Sequence, residues 1–179
     1  RFFAGYELDA TKINDADLVE HLYAVGKSMG SDLDGVDSNT PSFFVWAIRD
    51  SYTAPLQRVQ IIKGYVDSNG SPQEQVFDVA CSDGGSPDPV TYRCPDNNAK
   101  VDIANCAISQ DVGDAELKAF WSDPTFEVDQ RAFYYVRALE NPTCRWSTWD
   151  AIRNNVEPRP DMPKTIQERV WSSPIHYIP

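Results

Sequence analysis

The sequence predicts a mainly β protein: a β-sandwich-like core with long disulfide-stapled loops and a few short helices. Three observations carry that expectation. Strand-length runs of aromatic and β-branched residues recur at 43–49, 57–66, 75–80 and 131–140. The helical patterns are short and sit between strands without a βαβ rhythm. Three of the four cysteines fall in a stretch rich in Gly, Pro, Asp and Asn, a polar loop that needs cross-linking to stay folded.

Along the chain, residues 1–8 begin like a strand and reach a turn at Gly5. Residues 14–25 read as a helix, with Asn14 as cap, Leu18, Leu22 and Val25 at helical spacing, and Gly26 as the stop. Residues 28–42 read as a loop, and 43–49 (FFVWAIR) as a strand. In 57–66, Val59, Ile61 and Tyr65 face one way and Gln60, Ile62 and Val66 the other, a strand buried on both sides. The turn Asp67-Ser68-Asn69-Gly70 joins it to 75–80 as a β-hairpin. Residues 82–112 form a long Cys-rich excursion. Residues 113–121 read as a short capped helix. In 131–140, Phe133, Tyr135 and Arg137 share one face, and Ala132, Tyr134, Val136 and Ala138 the other. A helix is expected at 147–153 with Ser147 as N-cap, one or two helical turns at 165–171, and an extended end at 172–177.

The chain has 179 residues, which fits a single domain. Sixteen basic and twenty-seven acidic residues give a net charge of −11, a field that repels nucleic acid and anionic lipid. The longest apolar run, residues 43–48, is far short of the roughly 20 residues that a membrane span needs. The chain opens on Arg1-Phe2-Phe3, which reads as the interior of an element, so a processed chain or a piece of a longer one is expected.

Cys81, Cys94, Cys106 and Cys144 have no C-x-x-C pair, which argues for disulfides in an oxidising compartment over zinc. Four cysteines allow three pairings. The short loop between Cys94 and Cys106 favours that pair, leaving Cys81 with Cys144.

Catalytic chemistry has little to stand on. His21 and His176 are isolated, with no H-x-H or H-E-x-x-H spacing, and no G-x-S-x-G turn is present. Gly84-Gly85-Ser86-Pro87 has no helix start to cradle phosphate. Asp32, Asp34 and Asp37 crowd oxygen ligands into one loop but lack the spacing of a Ca²⁺ hand, so a solvated turn is the better reading. The segment 143–153 packs Cys144, Arg145, Trp146, Trp149 and Arg153 together. It reads either as a Trp-anchored corner held by a disulfide or as a surface that touches sugars or anions. No residue stands out as catalytic. Arg145, Trp146 and Arg153 are the substrate-facing candidates.

Long strings resemble a known family. They include RFFAG at 1–5, SMGSDL at 28–33, LQRVQIIKG at 56–64, DVACSDG at 78–84, RCPDN at 93–97, QRAFYYVR at 130–137, ENPTCRWS at 140–147 and WSSPI at 171–175. In these the chain is similar to the C-terminal region of the bacterial domain of unknown function 3604 family. The resemblance implies a longer, exported parent whose N-terminal part looks like a metal-dependent hydrolase of the polymerase-and-histidinol-phosphatase type. Its D-x-H-x-H-like motif does not occur in this chain, and none of its metal ligands maps here. The expected role is therefore a non-catalytic accessory region, periplasmic or secreted. It would pack on the N-terminal catalytic part and help shape its active site, with the divalent metal held there and no cofactor of its own. A carbohydrate-binding sandwich and a purely structural domain are the alternatives.

Overall fold

The computed structural model describes residues 1–36 and 39–179. The chain opens with β1 (Phe2–Gly5), a 3-10 turn (Ala10–Asn14), α1 (Leu18–Val25), β2 (Lys27–Ser28) and β3 (Asp32–Asp34). Then come β4 (Ser42–Ile48), β5 (Leu56–Val66) and β6 (Pro72–Cys81). The excursion holds only β7 (Val101–Asp102) and β8 (Ala107–Ile108). After it come β9 (Glu116–Ser122), β10 (Ala132–Glu140), β11 (Thr143–Cys144) and α2 (Trp146–Arg153). The chain ends with β12 (Thr165–Ile166), β13 (Arg169–Trp171) and β14 (Ile175–Ile178).

Two sheets face each other. The four-stranded sheet has the order β2-β1-β4-β9, and the six-stranded one β3-β14-β10-β5-β6, with β13 beside β10. Side chains alternate along each strand, so one face of each sheet builds the shared core. Phe2, Phe43, Val45 and Leu117 come from the smaller sheet, and Val59, Ile61, Tyr134, Val136 and Tyr177 from the larger. Phe43 and Tyr134 meet across the gap at 4.5 Å between ring centres. The far side of the small sheet is covered by α1, whose Leu18 and Leu22 pack on Phe3 and Phe44.

The β5–β6 hairpin and the two faces of β10 form as the residue pattern predicts. Gly26 ends α1, its N–H donating to the Leu22 carbonyl at 2.9 Å. Five expectations are corrected. Asn14 closes a 3-10 turn instead of capping a helix. Asp9 takes the Thr11 N–H at 2.9 Å and captures the backbone, so α1 starts later, after Asp17.

Residues 116–122 are strand, not helix. Glu, Leu, Lys and Ala favour helices in isolation, but Leu117, Ala119 and Trp121 pack against the core while Phe120 packs on Phe44. Full pairing with β4 overrides propensity. Residues 165–171 form two short strands. β14 covers only Ala132–Tyr134 of β10, and β13 takes up the rest of that edge, at Arg137–Leu139. Ser147 does not cap α2. Arg145 holds that position with no side-chain bond, and Arg145 N–H and the Thr148 hydroxyl both donate to the Lys164 carbonyl, at 3.0 and 2.8 Å. Residues 28–42, read as loop, carry the end of β2 and all of β3, the latter running parallel to β14.

The disulfide pairing is corrected too. The bonds are Cys81–Cys94 and Cys106–Cys144, with Cα atoms 5.5 and 5.7 Å apart. The excursion folds back on β6: Asp78 N–H donates to the Tyr92 carbonyl at 2.9 Å, and Cys94 N–H to Asp78 Oδ2 at 2.8 Å. That brings Cys94 onto Cys81. The β7–β8 turn then carries Cys106 to β11. Closure entropy varies slowly with loop length, so it does not separate the loop between Cys94 and Cys106 from the 13-residue spacing that forms. Hydrogen bonding along β6 decides the pairing.

Candidate functional site

The three sequence candidates come together at one corner. The Cys106–Cys144 bond and the β11–β12 pair hold the start of α2 in place. Trp146 and Arg153 are two helical turns apart and share a face with Trp149. Trp146 is 72% exposed, and the Arg153 guanidinium lies 5.4 Å from the Trp149 ring centre, a cation–π pair. Arg145 is half-buried, and its Nε is buried without a hydrogen-bond partner. A polar cleft of about 420 Å³ adjoins the corner, with Ile103, Ile152 and Lys164 in its wall.

The acidic candidates are not gathered. Asp32 and Asp34 are exposed on edge strand β3, on either side of buried Leu33, and Asp37 lies outside the described residues. Among the described residues no three His, Cys, Asp or Glu side chains converge as a metal site would require. His21 is partly buried and its Nε2 has no partner. His176 is exposed on the outer face of the large sheet, 6.1 Å from the Phe133 ring.

Two features escape sequence reading. The first is an open mouth between the sheets, a groove of about 450 Å³. Val45 and Leu56 line its floor with Val136 and Ala138. Its rim carries exposed apolar side chains, Ile48 at 67% and Val170 at 63%, beside Trp171 and Met29. Arg1 lies in its wall. The Arg1 ammonium donates to the Trp46 carbonyl at 2.7 Å, and Trp46 N–H to the Arg1 carbonyl at 2.9 Å. That pair keeps β1 in register with β4, next to Ala47 and Ile48.

The second is a buried ion pair that spans the sandwich. Lys63, on β5, is 1% exposed, and its Nζ lies 2.7 Å from Asp123 Oδ2, just past the end of β9. Asp123 also accepts from the Tyr134 hydroxyl and from Thr125 N–H, both at 2.8 Å. Burial, with the Asp123 charge next, pushes the Tyr134 phenol far above its ordinary range, so it stays a donor. Lys63 donates again to the Thr125 carbonyl at 2.8 Å. In a strand pattern, a lysine reads as outward-facing. Only the partner on the other sheet explains it.

These features define a disulfide-clipped, mostly antiparallel β-sandwich with one helix-covered face and one open mouth. The family described as protein of unknown function (DUF3604) matches residues 1–179, and the chain belongs to that family. No curated protein and no solved structure gives a significant match. Two disulfides persist in oxidising surroundings and argue for a non-cytoplasmic protein. No helix among the described residues is long and apolar enough to cross a membrane.

Proposed function

We propose that this chain is a non-catalytic accessory region of a larger, exported metal-dependent hydrolase, periplasmic or secreted, and that it docks on the catalytic part through the mouth of its sandwich. The mouth carries the proposal. A groove floored by core residues and rimmed by Ile48, Val170 and Trp171 leaves apolar surface in water, which a monomeric domain ordinarily covers. The occupant is the polypeptide of the same protein upstream of Arg1. Residues entering through Arg1 would run along β4 and meet the free edge beside Ala47 and Ile48, adding to the small sheet as a strand.

Among the described residues no three metal-ligating side chains converge, and in this reading the divalent metal is held by the catalytic part. In this arrangement Arg145, Trp146 and Arg153 remain the substrate-facing candidates, with no metal step assigned to them. The test is Ile48→Asp with Val170→Asp. Both side chains are exposed, so the isolated chain keeps its melting temperature. In the longer protein the same pair should release the region, seen as new protease cleavage upstream of β1 and a fall in hydrolysis. Unchanged cleavage and hydrolysis would reject docking at the mouth.

A further inference from the structure

We propose that the outward face of the six-stranded sheet binds an acidic glycan, with aromatic rings of β10 as its platform and three arginines as its anion-holding end. This face lies on the opposite side of the sheet from the core. Outward residues of a sheet in water are ordinarily polar. Here β10 presents Phe133, Tyr135 and Arg137 in succession. Phe133 is 40% exposed, and its ring sits on Gly64 of the neighbouring strand: a Cβ there would meet its Cζ at 2.2 Å. The glycine lets the ring lie down on the sheet. The Tyr135 ring is 6.3 Å away and within 14° of parallel. Parallel rings on a strand form a surface for the apolar C–H face of a pyranose.

Further along the same strand the chemistry changes. In register across the sheet stand Trp171, Arg137, Gln60 and Asp78. The Asp78 carboxylate is buried, and it accepts from Gln60 Nε2 at 2.6 Å and from Cys94 N–H. Three guanidinium groups gather near it. An Arg93 terminal nitrogen is 3.5 Å away and Arg58 Nε 4.0 Å away, while Arg137 Nε donates to Gln60 Oε1 at 2.7 Å. One carboxylate neutralises one of the three. The Arg58 Nε is buried without a hydrogen bond. Among the described residues no second carboxylate lies within ion-pair distance of these arginines, so in a chain of net charge −11 this face is a local reversal of sign. A carboxylate or sulfate group matches them through forked, charge-assisted bonds.

The other end of the strip has opposite character. A cleft of about 690 Å³ beside Phe133 includes Glu74, Asp129, Gln73 and Arg131. Its two carboxylates outnumber the Arg131 charge and, with Gln73, accept from sugar hydroxyls, so the glycan lies with its acidic substituent toward Arg137. The run from Phe133 to Arg137 is about 13 Å at the rise of a strand, room for a short oligosaccharide.

The test is titration calorimetry of the 179-residue chain with three probes: oligogalacturonate for carboxylate, sulfated dextran oligosaccharide for sulfate, and neutral dextran oligosaccharide. At least one acidic probe should bind, more weakly as salt rises, and neutral dextran should bind at least tenfold more weakly. Arg137→Ala and Arg93→Ala should each cost about tenfold or more, and Phe133→Ala a similar amount. Arg93 is half exposed on a loop, so its variant separates binding from folding. Arg159→Ala, far along the chain in an exposed pair with Asp161, should change nothing. Equal affinity for dextran, unaltered binding by the Arg93 and Arg137 variants, or no binding of either acidic probe would each overturn the proposal.

Discussion

Asp123→Asn removes one charge and keeps the shape, which isolates the ion pair between the sheets. Oδ2 of Asp123 faces the Lys63 ammonium and the Tyr134 hydroxyl, and Oδ1 faces Thr125 N–H and its hydroxyl. Lys63, the Tyr134 hydroxyl and Thr125 N–H all donate, while the one Thr125 hydroxyl proton is shared between Asp123 Oδ1 and Gln75 Oε1. An amide must point its NH₂ at one of these pairs, and Lys63 is left charged in a site where its side chain is 2% exposed. Removing one partner of a buried pair costs about 3–5 kcal/mol. With a urea slope of about 2 kcal/mol/M, the midpoint should fall by about 2 M. Lys63→Met should cost less, because the carboxylate keeps Tyr134 and Thr125 as donors. The double variant Lys63→Met with Asp123→Leu should be more stable than Asp123→Asn, since no charge is left unpaired. Urea unfolding followed by Trp fluorescence, with disulfides intact, measures all three. A midpoint shift for Asp123→Asn below about 0.5 M would refute the reasoning, because the pair would then not be holding the sheets together.

Further expectations follow from single sites. Peptide mapping without reductant should recover Cys81 joined to Cys94 and Cys106 joined to Cys144. Replacing the second pair by Ala should cost about 4 kcal/mol, and the first about 3, from the lengths of loop they close. Gly113→Ala should destabilise by about 1–3 kcal/mol, measured by urea unfolding: φ is +91°, and a Cβ would come within 2.6 Å of Pro55. Below about pH 4 the protein should lose stability to heat. Burial raises the Asp83 carboxyl, but bonds from Ser82, Gly113 and Asn97 outweigh it and hold it low. Backbone N–H groups of Ser71 and Thr91 do the same for Asp67 and Asp88. A depressed acid stabilises the fold above its unfolded pKa, near 4, and that contribution is lost as pH falls through the folded value. Melting temperature against pH checks the sign. On the proposed accessory role, Arg145→Ala in the longer protein should lower hydrolysis without moving its melting temperature.

Much of the larger sheet is legible in the residues. The turn at Asp67 and the alternation of β10 are local signals, and both survive in the fold. β9 is illegible because Glu116, Leu117, Lys118 and Ala119 suit a helix equally well, and only β4 beside them decides. Lys63 is illegible for the same reason: its burial depends on Asp123 across the sandwich. The corner at Arg145 is readable as composition, and the structure gathers it. The outer face was half visible, since Phe133, Tyr135 and Arg137 alternate outward in the sequence. Arg58 and Arg93 join them only through strand register and the fold-back of the excursion. The mouth has no sequence signal, because it depends on where β13 and β1 leave the two sheets uncovered.

Docking at the mouth is tested most directly by amide hydrogen exchange on the isolated chain and on the longer protein. The account predicts that the amides of Ile48 and residues 169–171 exchange at least tenfold more slowly in the longer protein, while β6 is unaltered. Equal exchange at the rim in both would contradict it and leave the mouth open to solvent.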